Sequence, residues 1–236
     1  MKKVLALTLC AGLATAGAQT TTTTISATPV MTGLNGVELG LTGGYANGLS
    51  GEVFVHVPNV AGPFGVKAGV ALTRPSDAIN DNAKFTNTGT SADITFGDLK
   101  QATGATESGS YTVFSLDGTY NLGEVSPGLS TALYAGGRYG MFHSNVTSEN
   151  DTTTFASNEF GIGAGVMVSY PLTGNLSLVG DLGVDQFFKG TINVRSSDGT
   201  TNDSITPSDG SYPFYNDLVV RPGTVFKARV GIKTTF

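Results

Sequence analysis

The sequence predicts an all-β fold: an eight-stranded antiparallel transmembrane β-barrel preceded by a signal peptide. Three observations carry this. Eight segments alternate apolar and polar residues with a period of two. The connections between them alternate between short turns and long polar stretches. No segment beyond the N-terminal region is apolar for the ~20 residues a membrane helix needs, so a closed barrel is the remaining way to satisfy every backbone group in lipid. The composition fits: 33 of 236 residues are Gly, 13% are charged, none is Trp and one is Cys.

Export is written at the start. Lys2 and Lys3 precede an apolar run from Val4 to Leu13 and a small-residue end, Ala16-Gly17-Ala18. This is the pattern of a secretory signal over residues 1–18, with cleavage after Ala18 or, alternatively, Ala16. Cys10 lies inside it, and Leu9 stands where a lipoprotein signal wants a small residue. Cleavage leaves no Cys, which removes disulfide frameworks and Cys-rich zinc sites. With only His56 and His143, a multi-His metal site is not expected, and no cofactor is. The formal charge moves from −5 to −7 as two lysines leave, which argues against nucleic acid as a partner. Residues 19–35 hold five consecutive Thr (20–24) and read as a flexible polar lead, and 36–236 as the barrel.

Strand one covers about residues 36–45, with Val37, Leu39, Leu41 and Tyr45 opposite Glu38 and Thr42. Strand two (50–57) sets Val53, Val55 and Val57 against Glu52, Phe54 and His56. Strand three (64–74) sets Phe64, Val66, Ala68, Val70 and Leu72 against Lys67 and Thr73. In strand four (111–122), Phe114, Leu116, Tyr120 and Leu122 oppose Ser115, Asp117 and Thr119. Strand five (129–141) places Leu129, Leu133, Tyr139 and Met141 opposite Ser130, Tyr134 and Arg138. Strand six (158–170) opposes Phe160, Ile162, Ala164, Val166, Val168 and Tyr170 to Glu159 and Ser169. Strand seven (176–187) has Leu176, Leu178, Leu182 and Val184 opposite Ser177, Asp181 and Asp185. Strand eight (224–236) has Phe226, Ala228, Val230, Ile232 and Phe236 opposite Lys227, Arg229 and Lys233. Most are near the ~9–11 residues that cross a bilayer at a tilt of about 45°.

Short turns follow strands two, four and six, at 58–63, 123–128 and 171–175. Long polar loops follow strands three, five and seven, at about 75–110, 143–157 and 188–223, and Ile94–Leu99 reads as a hairpin extension in the first of them. Only the connection at Asn47-Gly48 is brief on that side. Short turns at one end and long loops at the other are the arrangement of bacterial outer-membrane barrels.

The aromatics decide which face meets lipid. Phe64, Tyr120, Tyr170 and Phe236 fall at the short-turn ends, and Tyr45, Tyr139, Phe160 and Phe226 at the long-loop ends, as two interfacial girdles. Phe114 and Met141 fit less neatly. The other face carries Glu38, Glu52, Lys67, Asp117, Arg138, Glu159, Asp181, Asp185, Lys227, Arg229 and Lys233. A basic side chain at mid-bilayer costs roughly 2–4 kcal/mol, so this face must point inward. Closure puts strand eight between strands seven and one, so Lys227, Arg229 and Lys233 should bridge Asp181 and Asp185 on one side and Glu38 on the other.

The signal, the eight strands, the stretch from Phe160 to Leu178 and the terminal Phe236 resemble the small bacterial outer-membrane barrels of the OmpA-transmembrane-domain, OmpX and OmpW kind. The resemblance implies a location in the bacterial cell outer membrane, lipid as surroundings, and recognition of the C-terminal strand by the barrel-assembly machinery. Thr234 stands where that strand often has an aromatic.

An eight-stranded interior is just wide enough for side chains to fill. The expected function is therefore a structural or surface-interaction barrel with a side-chain-filled polar interior, any extracellular ligand being held by loops 75–110 and 188–223. The alternatives are a narrow channel for solutes or ions, a secreted soluble barrel and an outer-membrane lipid hydrolase. The hydrolase would need His143 and Ser144, which as neighbours on a strand point to opposite faces, so no enzyme is expected. His56 reads as an interior polar residue, with a pH gate as its sharper alternative. Asp198, Asp203 and Asp209 could offer oxygens to Ca²⁺, but without EF-hand spacing they read as a solvated turn cluster.

Overall fold

A computed structural model describes residues 36–85, 94–148, 151–221 and 223–236. The signal and the Thr-rich lead lie outside the described residues. Among the described residues, twelve strands and two helices follow in order. Eight strands close a ring: β1 (Glu38–Ala46), β2 (Gly48–Ala61), β3 (Phe64–Pro75), β6 (Thr106–Ser126), β7 (Leu129–Ser148), β8 (Asp151–Thr173), β9 (Leu176–Phe187) and β12 (Thr224–Thr235). The rest form a cap on the long-loop end: β4 (Lys84–Phe85), β5 (Ile94–Thr95), α1 (Phe96–Thr103), β10 (Ile192–Ser196), β11 (Asn202–Ile205) and α2 (Tyr212–Leu218).

Every neighbouring pair in the ring is antiparallel, and β12 closes it between β9 and β1. Stepping across paired residues from Phe160 through Tyr139, Phe114, Val70, Val53, Leu41, Ile232 and Leu178 returns to β8 at Tyr170, ten residues further on. A ten-residue stagger over eight strands implies a tilt of about 40°. Each residue on this path belongs to the apolar face. The path also places Phe114 beside Tyr139, at the edge of the outer girdle.

The short-turn end is tighter than its sequence suggests. Two-residue turns at Gly62-Pro63, Pro127-Gly128 and Gly174-Asn175 join the strands, each with its Gly at positive φ (62°, 76° and 52°), a region open to Gly at no steric cost. The other end departs from expectation. Residues 143–148 and 151–157 are not loop: β7 and β8 run on as paired strands to Ser148 and Asp151. At 20 and 23 residues these strands are about twice what the bilayer requires. Ile94–Leu99 extends a hairpin only at its first two residues. Ile94 and Thr95 pair with Phe85 and Lys84, and α1 begins immediately after. A capping box starts it: Asp98 N–H donates to the Thr95 hydroxyl, and the Thr95 N–H donates to the Asp98 carboxylate.

The cap has its own apolar core of Ile79, Ala83, Phe96, Phe155, Ile192, Val194, Ile205, Tyr212, Leu218 and Val219. A strap after α2 is paired with the segment after β3: Ile79 bridges Val219, and the Val220 N–H donates to the Ala78 carbonyl at 3.2 Å.

Candidate functional site

The candidate site is the barrel interior, built by the inward half of each strand. Lys67 is 2% exposed while Phe226, on the outer face, is 73% exposed, so the wall is inverted relative to a water-soluble protein. Three charge clusters fill it. At the short-turn end, Glu38 accepts from Lys233 Nζ at 2.6 Å and from His56 Nδ1 at 2.7 Å, and the Thr119 hydroxyl lies 3.0 Å from His56 Nε2. At mid-height, Glu52 accepts from Lys67 (2.7 Å) and Arg229 (2.9 Å), and Asp181 lies 3.8 Å from Arg229 while accepting the Tyr134 hydroxyl at 2.6 Å. Further out, Arg138 donates to Asp117 (2.6 Å) and Asp185 (2.7 Å), and Lys227 reaches Asp185 at 3.0 Å.

Aromatic rings pack among these charges. Lys67 Nζ stands 4.8 Å from the Phe54 ring centre and 5.3 Å from that of Tyr134, and Lys227 lies 5.2 Å from the latter. Glycines make the room. A Cβ at Gly163 would sit 2.0 Å from the Asp185 carboxylate, and one at Gly165 would sit 2.2 Å from the Tyr134 hydroxyl. The Gly-rich wall is thus a condition for holding guanidinium and phenol groups inside so narrow a barrel.

Ten of the eleven interior charges belong to these clusters. Glu159 does not: it pairs with Arg221 in the strap after α2, which also donates to the Tyr212 hydroxyl at 3.0 Å. Sequence reasoning missed Arg221, because a loop residue carries no periodicity. It also missed an apolar layer at the outer mouth, where Ala46, Tyr111, Phe142, Phe187 and Val225 are buried together. The interior is therefore not uniformly polar. Strand parity could have found this layer, since Phe187 lies two residues from Asp185 and Phe142 four from Arg138.

The interior keeps some space. A void of about 20 Å³ lies between the charged and aromatic layers, lined among others by Glu52, Arg138, Asp185 and Phe187. This is room for about one water. A vestibule of about 280 Å³ lies at the short-turn end, lined by Glu38, His56 and Lys233 with Ser130, Thr131, Ser169, Ser177 and neighbours.

The outer wall carries the girdle residues. Phe64 packs edge-on against Tyr120 (5.2 Å between centres) near one rim, and Tyr139 against Phe160 (5.1 Å) nearer the other. Tyr45, Tyr170, Phe226 and Phe236 are exposed on the same face, and Tyr139 is half-buried.

The remaining candidates come apart or stay local. Ser144 is buried while His143 is exposed, so the two do not form a pair. Asp198 accepts from Ser196 and Thr200, and Asp209 from Thr206, within their own turns. Among the described residues no group of three or more His, Cys, Asp or Glu could hold a metal. In the cap, partial burial and then the Asp77 carboxyl raise Glu107 above the usual carboxylate range, with Lys100 3.6 Å away opposing them.

A major outer membrane protein from Thermus thermophilus shares this architecture at 33% identity, with a TM-score of 0.75 over 85% of this chain and 98% of that one. The chain belongs to the family of that protein. It is a bacterial outer-membrane barrel, and in that class short turns lie in the periplasm and long loops outside the cell. Two more distant solved structures are Neisserial surface protein A (12% identity, TM-score 0.40, 85% of this chain and 94% of that one) and CarO of Acinetobacter baumannii (12%, 0.38, 86% and 98%). The sequence matches no protein-family model and no curated protein.

Proposed function

We propose that this outer-membrane barrel is a closed scaffold whose role is structural or lies in contacts made by its extracellular cap. The observation that carries the reading is occlusion at successive levels. The Phe54–Lys67–Tyr134 stack, the Arg138–Asp117–Asp185 cluster and the Tyr111–Phe142–Phe187 layer are buried inside the ring at successive levels, and Arg221 of the strap pairs with the interior Glu159. Barrels of eight strands leave only enough room for such filling. Residues 75–110 and 188–223 supply most of the cap, and an extracellular ligand would meet the protein there. The apolar alternation ending at Phe236 would present the strand to the barrel-assembly machinery. The vestibule favours a second reading, a narrow channel entered from the periplasm, in which the charged clusters would have to part.

Proteoliposomes separate the two. The closed scaffold predicts efflux of small solutes no faster than from empty vesicles. Flux well above that level overturns it in favour of the channel.

A further inference from the structure

Arg74 stands on the lipid-facing side of the wall near its long-loop rim. On β3, Val70 and Leu72 are exposed while Ala71 and Thr73 are buried, so Arg74 continues the outward face. Its ladder partner on β2 is Leu49, which also points outward. Its height follows from the stagger of the ring. A path that descends ten residues over eight strands is lower by about four residues after the three steps from Phe160 to Val70. Arg74 lies that far beyond Val70 toward the long-loop rim, level with Phe160 of the girdle. This is the interface with the polar head groups. Lys100 and Arg221 pair with Asp81 and Glu159, but Arg74 has no hydrogen bond or ion pair among the described residues. The outward residues around it, Tyr45, Leu49, Leu72, Ser110 and Thr112, include no acid.

Beneath the guanidinium the wall is notched. Leu49, Gly51, Leu72, Arg74 and Ser110 border a slot of about 490 Å³. Gly51 is paired with Gly43 on one side and Leu72 on the other, so its floor carries little side chain. Gly51 and Leu72 lie closer to the bilayer centre than Leu49 and Arg74, which sets an apolar slot under a charged lip. A small soluble anion gains nothing from such a slot, and a neutral chain gains nothing from the guanidinium. A second copy seated on the same patch would bring another arginine against the first. We propose that the slot holds a lipid of the surrounding leaflet with a phosphate-bearing head group. The phosphate accepts two parallel N–H bonds from Arg74 and one from the Ser110 hydroxyl, and an acyl chain lies over Gly51 and Leu72. The site uses only the outer wall, so it stands or falls apart from the closed-scaffold reading.

Native mass spectrometry of the folded barrel in detergent tests this, with dimyristoyl phosphatidic acid and dimyristoylglycerol titrated separately. The two lipids share their chains and differ in the phosphate. One phosphatidic acid should be retained per barrel at concentrations where the diacylglycerol is not, and excess inorganic phosphate should not displace it. Arg74→Gln should weaken retention about tenfold. Gly51→Leu should weaken it to a similar extent by filling the slot with Arg74 intact. There is room for that change, since a Cβ at Gly51 meets nothing closer than the Thr42 carbonyl oxygen at 3.7 Å. Arg195→Gln, exposed on β10 outside the slot, should titrate like the wild type. If one slot variant fails to fold, the other carries the test. Equal retention of the two lipids, displacement by inorganic phosphate, a dimer in place of the lipid adduct, or slot variants that titrate like the wild type overturn the proposal.

Discussion

The barrel wall and the extracellular cap follow opposite polarity rules in one continuous chain. In the wall, Leu41, Phe160 and Phe226 face outward while Lys67, Arg138 and Asp117 are buried. In the cap, Ile79, Phe155 and Ile192 are inside, and Asp198 and Asp209 lie at the surface. β8 obeys both rules: Phe160 looks out to lipid, and Phe155, five residues earlier, is buried in the cap core. The surrounding solvent decides which face is apolar. The cost falls inside the barrel, where charges stripped of water must pair.

The largest way to break this comparison is Arg138→Leu. It strands Asp117 in the interior and leaves Asp185 with Lys227 alone, and a loss of about 3–5 kcal/mol is expected, read as a lower urea midpoint for the folded, heat-modifiable form. Ile192→Ala attacks the other core. A loss of about 2–5 kcal/mol is expected there, seen as faster protease cleavage within 188–223 while heat-modifiable migration is retained. Thr95→Ala removes the cap of α1 for about 1 kcal/mol, and faster amide exchange confined to Phe96–Thr103 would report it.

The smallest effect concerns pH. Because the Glu107 carboxyl is raised in the folded cap, the native state holds its proton more readily than the unfolded chain. Its contribution is therefore present in acid and is lost as pH rises through the raised value. Glu107→Gln should remove that dependence and leave the cap harder to open at neutral pH. Cap proteolysis rates at mildly acidic and neutral pH measure it; a wild-type cap that tightens as pH rises contradicts it.

How much could be read from the sequence followed the same divide. The eight staves were legible because lipid on one face and a narrow interior on the other impose a strict period of two, as in the run from Phe226 to Ile232. Beyond the bilayer that constraint lapses. Residues 143–148 and 151–157 continue the ladder, but with Asn, Thr and Ser on both sides they read as loop. The start of α1 was hidden because Ile94 and Phe96 alternate like a strand, though Thr95 and Asp98 already held its capping signal. The charges of the interior could be assigned to a face by parity, but not all to partners. Arg229 makes its closest ion pair with Glu52 on β2 rather than with its neighbour Asp181, and Glu159 turns to Arg221, which only the folded strap brings near.

Native-state hydrogen exchange in nanodiscs, comparing wild type with Ile192→Ala, tests most directly whether two separately held cores share the chain. Protection should fall at Ile192–Ser196 and Asn202–Ile205, with the barrel amides of Glu38–Ala46 and Thr224–Thr235 unchanged. Equal loss of protection in cap and barrel would show a single cooperative unit and contradict the account.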